Sequence, residues 1–397
     1  MKTALVHDWL TGMRGGERVL ERIARRFPDA PIHTLVWRRG SVTAELESHP
    51  IHTSFLQRLP DAERRYRWFL PLYPAAIESF DLSAFDLVIS TSHAAAKSVR
   101  THPDAFHLSY IHTPMRYVWE LESQYFPPGR FGWPLDSVVR ATCARLRTWD
   151  ATTATRPTAL LANSRHVAER IRRHWGRDAE VVYPPVARAG RPLGPDGPRD
   201  RYLLAGAFAP YKRSDLALAA CARLGRALTV SGSGQEETRL KRAAGPEVRF
   251  TGWVGDAALT TLLARARALL FPGEEDFGIM PVEAMACGCP VIAFGRGGVL
   301  ETVARGADET ALARVRDGGV ARVPGGVLFG TQTAEALVEA IELFERERFD
   351  RDALARLAAP FSAERFDREF DAALARGLAA HRAAAPTPAV AAGLGTA

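Results

Sequence analysis

Glu275 and Glu283, with seven residues between them, are two carboxylates whose types and spacing could support chemistry. They lie in the segment LLFPGEEDFGIMPVEAMACGCPVIAF (residues 269–294), which begins and ends with a short apolar run typical of a buried strand. Carboxylates repel phosphate but accept hydrogen bonds from hydroxyl groups, so the pair suits a sugar or a ribose. The alternative is structural: Glu283 would complement a helix dipole, and residues 274–276 would form a solvated turn.

A strand, a loop, a helix and a second strand follow one another in this segment and position the two carboxylates. Pro281 suits the first position of a helix, where its missing N–H costs nothing, and Gly288 followed by Pro290 ends that helix. Glu275 is then expected in the loop and Glu283 in the first helical turn, so that both face one crevice. Open α/β sheets bind ligands at such a loop, and the adjacent helix N-terminus attracts anions.

The run EDFGIMPVEAMACGCPVIAF resembles the E-x7-E signature of family 4, the retaining glycosyltransferases that use nucleotide sugars. Members of this family have the GT-B fold, in which two Rossmann-like domains face each other. The resemblance implies that Glu275 holds hydroxyl groups of the donor sugar and that Glu283 binds the ribose. It also implies that backbone N–H groups of Phe277, Gly278 and Ile279 lie near the sugar or the phosphate.

A glycine pair, Gly15 and Gly16, follows the first predicted strand and precedes a helix that starts at about Glu17. The pair lets the backbone approach a ligand just before a helix N-terminus, which favours a phosphate, and a plain turn is the alternative. The segment lacks the G-x-G-x-x-G fingerprint, which argues against an NAD-dependent oxidoreductase. In the family that the chain resembles, a glycine-rich loop here closes over the donor diphosphate.

The stretch YIHTPMRYVWE (residues 110–120) places His112 at the end of a predicted strand, just before a threonine and a proline. A single histidine is usually structural, but one at the carboxyl end of a strand is well placed for a ligand. The stretch resembles the HTPMRYVW run of mannosyltransferase-like members of family 4, in which this histidine faces the transferred sugar. We therefore assign a catalytic role to His112 with Glu275, and we expect Arg116 to contact a phosphate or the acceptor.

Two cations, Lys212 and Arg213, precede a predicted helix in the second half of the chain. Two positive charges beside a helix N-terminus suit a diphosphate, although a solvated basic turn is the structural alternative. The family usually has an arginine five residues before this lysine, and here that position is Ala207. Arg213 or Arg116 would have to compensate for the missing charge.

Predicted strands alternate with predicted helices along the chain, which indicates an α/β protein with parallel, doubly wound sheets. The resemblance implies a GT-B arrangement, with an N-terminal, acceptor-side domain at residues 1–186 and a C-terminal, nucleotide-sugar-binding domain at residues 200–360. A helix at about residues 361–382 would cross back to the first domain. Residues 383–397, mostly Ala, Pro, Thr and Gly, are expected to form a disordered tail.

The composition, with 47% hydrophobic and 24% charged residues, is that of an ordinary globular protein. No apolar run approaches the ~20 residues of a membrane span and no signal peptide is evident, so we expect a cytoplasmic protein. The formal charge of +7 suits anionic ligands, and we expect no nucleic acid partner. Residues 64–73 mix arginines with aromatics, which raises the hypothesis of peripheral contact with the anionic inner face of the membrane. Ordinary helix packing is the alternative.

We expect no metal ion and no cofactor. The four cysteines lack histidines at zinc spacing and are expected to be buried in a reducing compartment. Asp350 and Asp352 form a D-x-D, the metal–diphosphate motif of a different glycosyltransferase fold. They lie in a charged helical run, which is typical of a solvated face.

The resemblance to family 4 implies a retaining, metal-independent hexosyltransferase that moves a hexose from a nucleotide diphosphate sugar to a glycan or lipid-linked acceptor in polysaccharide biosynthesis. The match at residues 110–120 favours mannose from GDP-mannose. One alternative is a nucleotide-sugar epimerase of the same fold, which would turn over donor without an acceptor. The other is a non-catalytic subunit that binds sugar nucleotides, an idea that Ala207 keeps open.

Overall fold

Two β-sheets of seven strands each organise the chain. The structure, a computed structural model, describes residues 1–130, 132–191, 193 and 197–384. The first sheet is built from strands in the N-terminal half and the second from strands in the C-terminal half, each with helices between its strands. This architecture confirms the predicted α/β class.

The first sheet consists of β1 (Thr3–His7), β2 (Ile32–Thr34), β3 (Ile51–Thr53), β4 (Leu87–Ser92), β5 (Phe106–Ile111), β6 (Ala159–Ala162) and β7 (Glu180–Val181). Its helices are α1 (Gly15–Ala24), α2 (Ala44–Glu47), α3 (Ala62–Arg65), α4 (Tyr73–Glu78), α5 (Arg116–Trp119), α6 (Glu122–Tyr125), α7 (Leu135–Thr153) and α8 (Arg165–Trp175). All neighbouring strands are parallel, in the order β3-β2-β1-β4-β5-β6-β7. The central strands β4 and β5 are buried along their whole length, as expected for a parallel sheet covered on both faces.

The second sheet consists of β8 (Arg201–Ala207), β9 (Leu228–Ser233), β10 (Val248–Gly252), β11 (Ala266–Phe271), β12 (Val291–Phe294), β13 (Val320–Val323) and β14 (Gly326–Phe329). Its helices are α9 (Ser214–Leu224), α10 (Glu237–Ala243), α11 (Asp256–Arg265), α12 (Ile279–Ala286), α13 (Glu309–Arg316), α14 (Ala334–Arg346) and α15 (Arg351–Ala358). The order is β10-β9-β8-β11-β12-β14-β13. The expectation of wholly parallel sheets needs one correction, because β13 and β14 are antiparallel. Only two residues separate them along the chain, too few for a parallel crossover.

Each sheet has one point at which its strand order reverses. In the first sheet this switch point lies between β1 and β4, and in the second it lies between β8 and β11. Open α/β sheets bind ligands in the crevice outside the carboxyl ends of the strands at such a point. The fold therefore provides two candidate crevices, one in each half of the chain.

A terminal helix, α16 (Ala363–Ala384), returns to the first half of the chain. Its Phe366 and Phe370 are fully buried in the same apolar cluster as Leu5 and Ile89 of the first sheet. Arg26, two residues beyond the end of α1, contacts Asp371 at 2.5 Å between Nε and Oδ1. These contacts confirm the predicted crossover. The helix is described as far as Ala384, two residues inside the segment 383–397 that we expected to be a tail, and the rest of that segment lies outside the described residues.

Two local predictions differ from the structure. Helix α12 begins at Ile279, after Gly278 in the left-handed region (φ 81°), so Pro281 is its third residue and Glu283 its fifth. Asp350 caps α15, its side chain accepting the N–H of Ala353 at 2.6 Å, which explains this half of the D-x-D as a helix signal.

Candidate functional site

The switch point of the second sheet holds an ion pair between Lys212 and Glu275. Lys212 ends a 3-10 turn after β8, Glu275 follows the neighbouring β11, and their Nζ and Oε1 atoms are 2.5 Å apart. Burial lowers the pKa of Lys212, but the adjacent Glu275 carboxylate outweighs it, so the pKa is raised and the lysine stays charged. A pocket opens beside this pair and is lined by residues of both strand ends, among them Gly206, Ala207, Phe208, Lys212, Gly273 and Glu275.

Three glycines allow the backbone of the carboxylate loop (residues 272–278) to pack closely. A Cβ atom on Gly273 would lie 2.7 Å from Cα of Lys212, and one on Gly297 would lie 2.3 Å from the carbonyl oxygen of Glu275. Gly298 donates its N–H to that same oxygen at 2.9 Å. These glycines were not among the site residues predicted from the sequence, since nothing in a glycine-rich turn indicates which distant loop it touches.

The N-terminus of α12 adds hydrogen-bond donors beside the ion pair. Within the described part of the chain, the N–H groups of Phe277, Gly278 and Ile279 donate no hydrogen bond. Such free donors at the start of a helix form an anion-binding site together with the helix dipole. The loop therefore combines a carboxylate, a cation and several N–H groups within one crevice.

Glu283 lies on α12, half-buried, and burial raises its pKa to about 7 although Arg18 opposes this shift. Arg18 belongs to α1 in the first half of the chain. Its Nη2 contacts both carboxylate oxygens of Asp256 at 2.8 Å, so it reaches across to the second half beside Glu283. Near pH 7 a carboxyl group with this pKa is partly protonated. It can therefore accept a hydrogen bond from a hydroxyl group or donate one to it.

The glycine pair of the first half lies against α12 and His112. A Cβ atom on Gly15 would come within 2.7 Å of Cδ1 of Ile279, and one on Gly16 within 3.4 Å of Nε2 of His112. The structure thus brings together four of the predicted site residues from both halves of the chain. The absence of side chains at the glycine pair makes this approach possible.

His112 directly follows β5 and is fixed by its own N–H, which donates to the carbonyl of Ser92 at 2.8 Å. Its Nε2 atom is buried and has no hydrogen-bond partner among the described residues. Burial, with His93 nearby, lowers the pKa of His112 to about 3, so the ring is neutral. An unpartnered buried nitrogen in a crevice is a group that a ligand would satisfy.

Residues from the first half hold both flanks of Glu275. Arg170 of α8, whose side chain is only 5% exposed, contacts Glu274 at 3.4 Å and also pairs with Asp276. Ser164 donates to the carbonyl of Asp276 at 2.7 Å. Arg116 contacts the same loop, with Nη2 3.3 Å from the carbonyl oxygen of Glu274. The carboxylate loop is therefore positioned by both halves of the chain.

Glu301 provides a second contact between the halves. Its carboxylate accepts the backbone N–H groups of Arg165 and His166 at the N-terminus of α8, at 2.8 and 2.9 Å. Tyr183 donates its hydroxyl to Glu301 at 3.0 Å. Arg170 and Glu301 were not among the site residues predicted from the sequence, because no local pattern distinguishes them from surface residues of a helix or turn.

Arg213 is not drawn into the cluster around Lys212. It adopts a left-handed backbone conformation (φ 49°), and its guanidinium contacts Asp215 at 3.2 Å. Ala207 lines the pocket where the family usually has an arginine. Among the predicted cations, Lys212 is the one that contacts Glu275, and Arg116 lies against the neighbouring loop residues.

Several absences apply to the described residues. No group of three or more His, Cys, Asp or Glu side chains among them could hold a metal ion. All four cysteines are free and buried, as predicted. No helix in the described ranges combines the length and apolarity that crossing a bilayer requires.

Two doubly wound sheets, a returning C-terminal helix and a carboxylate loop held from both halves define the GT-B class of glycosyltransferase folds. A family model described as Glycosyltransferase Family 4 matches residues 13–189, and one described as Glycosyl transferases group 1 matches residues 199–344. Together the two models span most of the chain, which belongs to glycosyltransferase family 4. The resemblance drawn from the E-x7-E segment is confirmed.

Two curated relatives are similar over part of the chain. A GDP-mannose-dependent alpha-mannosyltransferase of Mycolicibacterium smegmatis is 33% identical over 160 residues, 39% of this chain and 42% of that protein. A GDP-mannose-dependent alpha-(1-6)-phosphatidylinositol dimannoside mannosyltransferase of Mycobacterium tuberculosis is 31% identical over 138 residues, 34% of this chain and 32% of that protein. The chain thus spans less than half the length of these relatives.

Among solved structures, Anabaena HepE in complex with UDP-glucose matches the whole architecture. The alignment covers 95% of this chain and 100% of that chain, with a TM-score of 0.62 and 15% sequence identity. At this identity the likeness concerns the fold alone, and it confirms the GT-B prediction.

Proposed function

We propose that the protein is a retaining hexosyltransferase that moves a hexose, favoured to be mannose from GDP-mannose, to a hydroxyl group of a glycan or lipid-linked acceptor. The observation that carries this proposal is the Lys212–Glu275 pair beside the N-terminus of α12, with His112 and the glycine pair opposite. This arrangement offers positive charge and N–H donors for a diphosphate and carboxylate oxygens for sugar hydroxyls. Both relatives described above are named as GDP-mannose-dependent, which supports the choice of donor.

The donor diphosphate would contact Lys212, the N–H groups of residues 277–279 and the glycine pair. As the bond to the sugar breaks, negative charge grows on the diphosphate, and donors already aimed at that position stabilise it. Lys212 carries most of this task because Ala207 supplies no charge and Arg213 is paired with Asp215.

The two glutamates of the signature would then bind hydroxyl groups. Glu275 would orient the sugar, since Lys212 already fixes one of its oxygens, and Glu283 would accept from the ribose. His112 would lie beside the transferred sugar, where its unpartnered Nε2 exchanges a hydrogen bond with a hydroxyl.

We further propose that the reaction needs no metal ion and no cofactor. Lys212 and the helix N-terminus supply at the diphosphate the positive charge that a metal would otherwise provide. Turnover in excess EDTA should equal turnover in its absence, and a loss that added Mg²⁺ or Mn²⁺ restores would contradict this proposal.

Contact with the inner face of an anionic membrane is a separate proposal for residues 64–73. Trp68 is 83% exposed, and Arg64, Arg65 and Arg67 are exposed around it. Aromatic and basic side chains on one surface suit the headgroup region of a bilayer. Co-sedimentation with anionic liposomes should occur at low salt and weaken at high salt, and no binding at low salt would contradict the proposal.

Product analysis tests the function directly. GDP-mannose and octyl α-mannoside, used as the acceptor probe, should yield GDP and a disaccharide whose new linkage is α by proton NMR, as retention requires. Conversion of GDP-mannose into another sugar nucleotide without the probe would favour the epimerase. Binding of GDP-mannose with neither reaction, across a range of acceptor glycans, would favour the non-catalytic subunit.

A further inference from the structure

The switch point of the first sheet holds a pair of side chains with no role in the donor site. Asp8 directly follows β1, and His93 directly follows β4, the two strands between which the sheet order reverses. Asp8 is fully buried, and its carboxylate accepts four backbone N–H groups at 2.6–2.9 Å, those of His93, Ala94, Ala95 and Ala96. Such a carboxylate is rigidly placed.

His93 is oriented by its neighbours and open at its far end. Its Nδ1 is 3.1 Å from Oδ2 of Asp8, and its ring stands edge-on to Trp9 with the centroids 4.3 Å apart. The side chain is 26% exposed, and Nε2 has no hydrogen-bond partner in the described part of the chain. A carboxylate oxygen 3.1 Å from Nδ1 favours the tautomer that carries the proton on Nδ1, and this tautomer leaves Nε2 as a hydrogen-bond acceptor.

The ring of His93 is also neutral. Burial, reinforced by the positive charges of Arg14 and Arg67, lowers the pKa of His93 to about 3. A neutral imidazole with a free lone pair recognises a hydroxyl group and gains nothing from an anion.

The position of His93 relative to the donor site follows from a chain of contacts. Ile279 of α12 touches Gly15, the next residue, Gly16, touches His112, and the rings of His112 and His93 are 6.2 Å apart. Along this series of contacts, which starts at α12, His93 is therefore the side chain that follows His112. A molecule in contact with His93 would adjoin the sugar that His112 contacts.

We propose that His93, held by Asp8, binds a hydroxyl group of the acceptor by accepting its hydrogen bond at Nε2. This inference rests on the proposed function. The acceptor class is a polyhydroxylated molecule such as a sugar, presented to the first sheet while the donor occupies the second. Asp8 is a positioning residue, which fixes the tautomer and angle of the ring without touching the acceptor.

His93→Ala and His93→Gln separate acceptor binding from donor binding, with octyl α-mannoside as the acceptor probe. His93→Ala should lower kcat/KM for the probe at least tenfold, mainly through KM. The rate at which the variant hydrolyses GDP-mannose with water should stay within twofold of the wild-type rate. The Tm shift that GDP-mannose causes should also stay within twofold of the wild-type shift. Glutamine places an amide group near the position of Nε2 and should restore part of the lost kcat/KM. His102→Ala is the matched control, since His102 is exposed and lies before the N-terminal end of β5, whereas His93 follows the C-terminal end of β4.

Unchanged probe kinetics in His93→Ala would overturn the inference, and so would an equal fall in hydrolysis and transfer, which would assign the residue to the donor or to folding. A wild type that GDP-mannose fails to stabilise would instead defeat the proposed function, and this inference with it. The two failures are distinguishable, because the failure of the proposed function is seen with the wild type alone, whereas the failure of this inference is seen in the His93 variant.

Discussion

The two switch points have the same topology and opposite chemistry. The second sheet presents a charged pair, Lys212 and Glu275, beside free N–H groups, whereas the first presents two neutral rings, His112 and His93, in front of a buried carboxylate. We therefore expect a few side chains at the strand ends to make these equivalent crevices bind different ligands. Charge suits a diphosphate, and neutral acceptors suit hydroxyl groups.

The two crevices also differ in how they are held. The first is fixed within its own half, where Asp8 gathers four N–H groups. The second depends on the other half, because Arg170 and Ser164 hold the loop that carries Glu275. A change at the contact between the halves should therefore impair the charged crevice more than the neutral one. The following predictions test this contrast.

Removing the charge of the second crevice should have the largest effect. Lys212→Ala should lower kcat by about 10²–10³, the range for losing one preorganised donor at a developing negative charge. Arg213→Ala is the adjacent control and should cost less than tenfold, because that guanidinium is paired with Asp215. Steady-state kinetics with GDP-mannose would measure both, and equal losses would contradict the assignment of Lys212.

Removing the contact between Arg170 and the carboxylate loop should destabilise the protein and also weaken donor binding. Arg170→Ala removes the buried cation that Glu274 and Asp276 share, and it leaves Asp276 with the longer contact to Arg116 at 3.5 Å, so it should lower the free energy of unfolding by about 3 kcal/mol. Arg172→Ala on the same helix removes an exposed pair with Asp178 and should cost less than about 1 kcal/mol. Urea denaturation measures the free energy of unfolding of both variants. Equal values would show that the contact between Arg170 and the loop does not stabilise the protein.

Moving the loop without changing any charge should have a smaller effect. A Cβ atom on Gly298 would lie 2.3 Å from Cα of Phe277, so Gly298→Ala must displace the backbone beside Glu275. We expect kcat/KM for the sugar-nucleotide donor to fall about tenfold or more, because the backbone N–H groups that face it are displaced. Gly245→Ala meets open space and should change nothing, and the same kinetics check both variants.

Much of this contrast could be predicted from the sequence, and the remainder depends on distant contacts. Glu275, His112 and Lys212 stand in local motifs whose strand–loop–helix context is legible in the chain. Arg170 and Glu274 are 104 residues apart, and no local pattern indicates that they meet.

The start of α12 was misplaced for a local reason. Pro281 is tolerated at the first and the third helical position alike, because none of the first four N–H groups has a partner inside the helix. The free Nε2 of His93 is visible only once β1 and β4 lie side by side.

The smallest predicted effect is a pH dependence of stability. The folded pKa of Glu283, about 7, lies above its ordinary value of 4.5, so the folded state holds a proton that the unfolded state has lost. Stability is therefore lost as the pH rises from about 4.5 to 7. Glu283→Gln removes the titrating group and should abolish most of that loss, measured by urea denaturation at pH 5 and pH 8. Glu339→Gln, an exposed change on α14, should reproduce the wild-type loss.

The most direct test of the charged crevice is thermal stabilisation by a panel of GDP-mannose, UDP-glucose, UDP-N-acetylglucosamine, dTDP-rhamnose and NAD on the wild type and on Lys212→Ala. A ligand that binds only the folded state raises the Tm. We predict that GDP-mannose raises the Tm of the wild type and that the variant loses this rise. No rise with any sugar nucleotide at millimolar concentration, or an equal rise in the variant, would contradict the account.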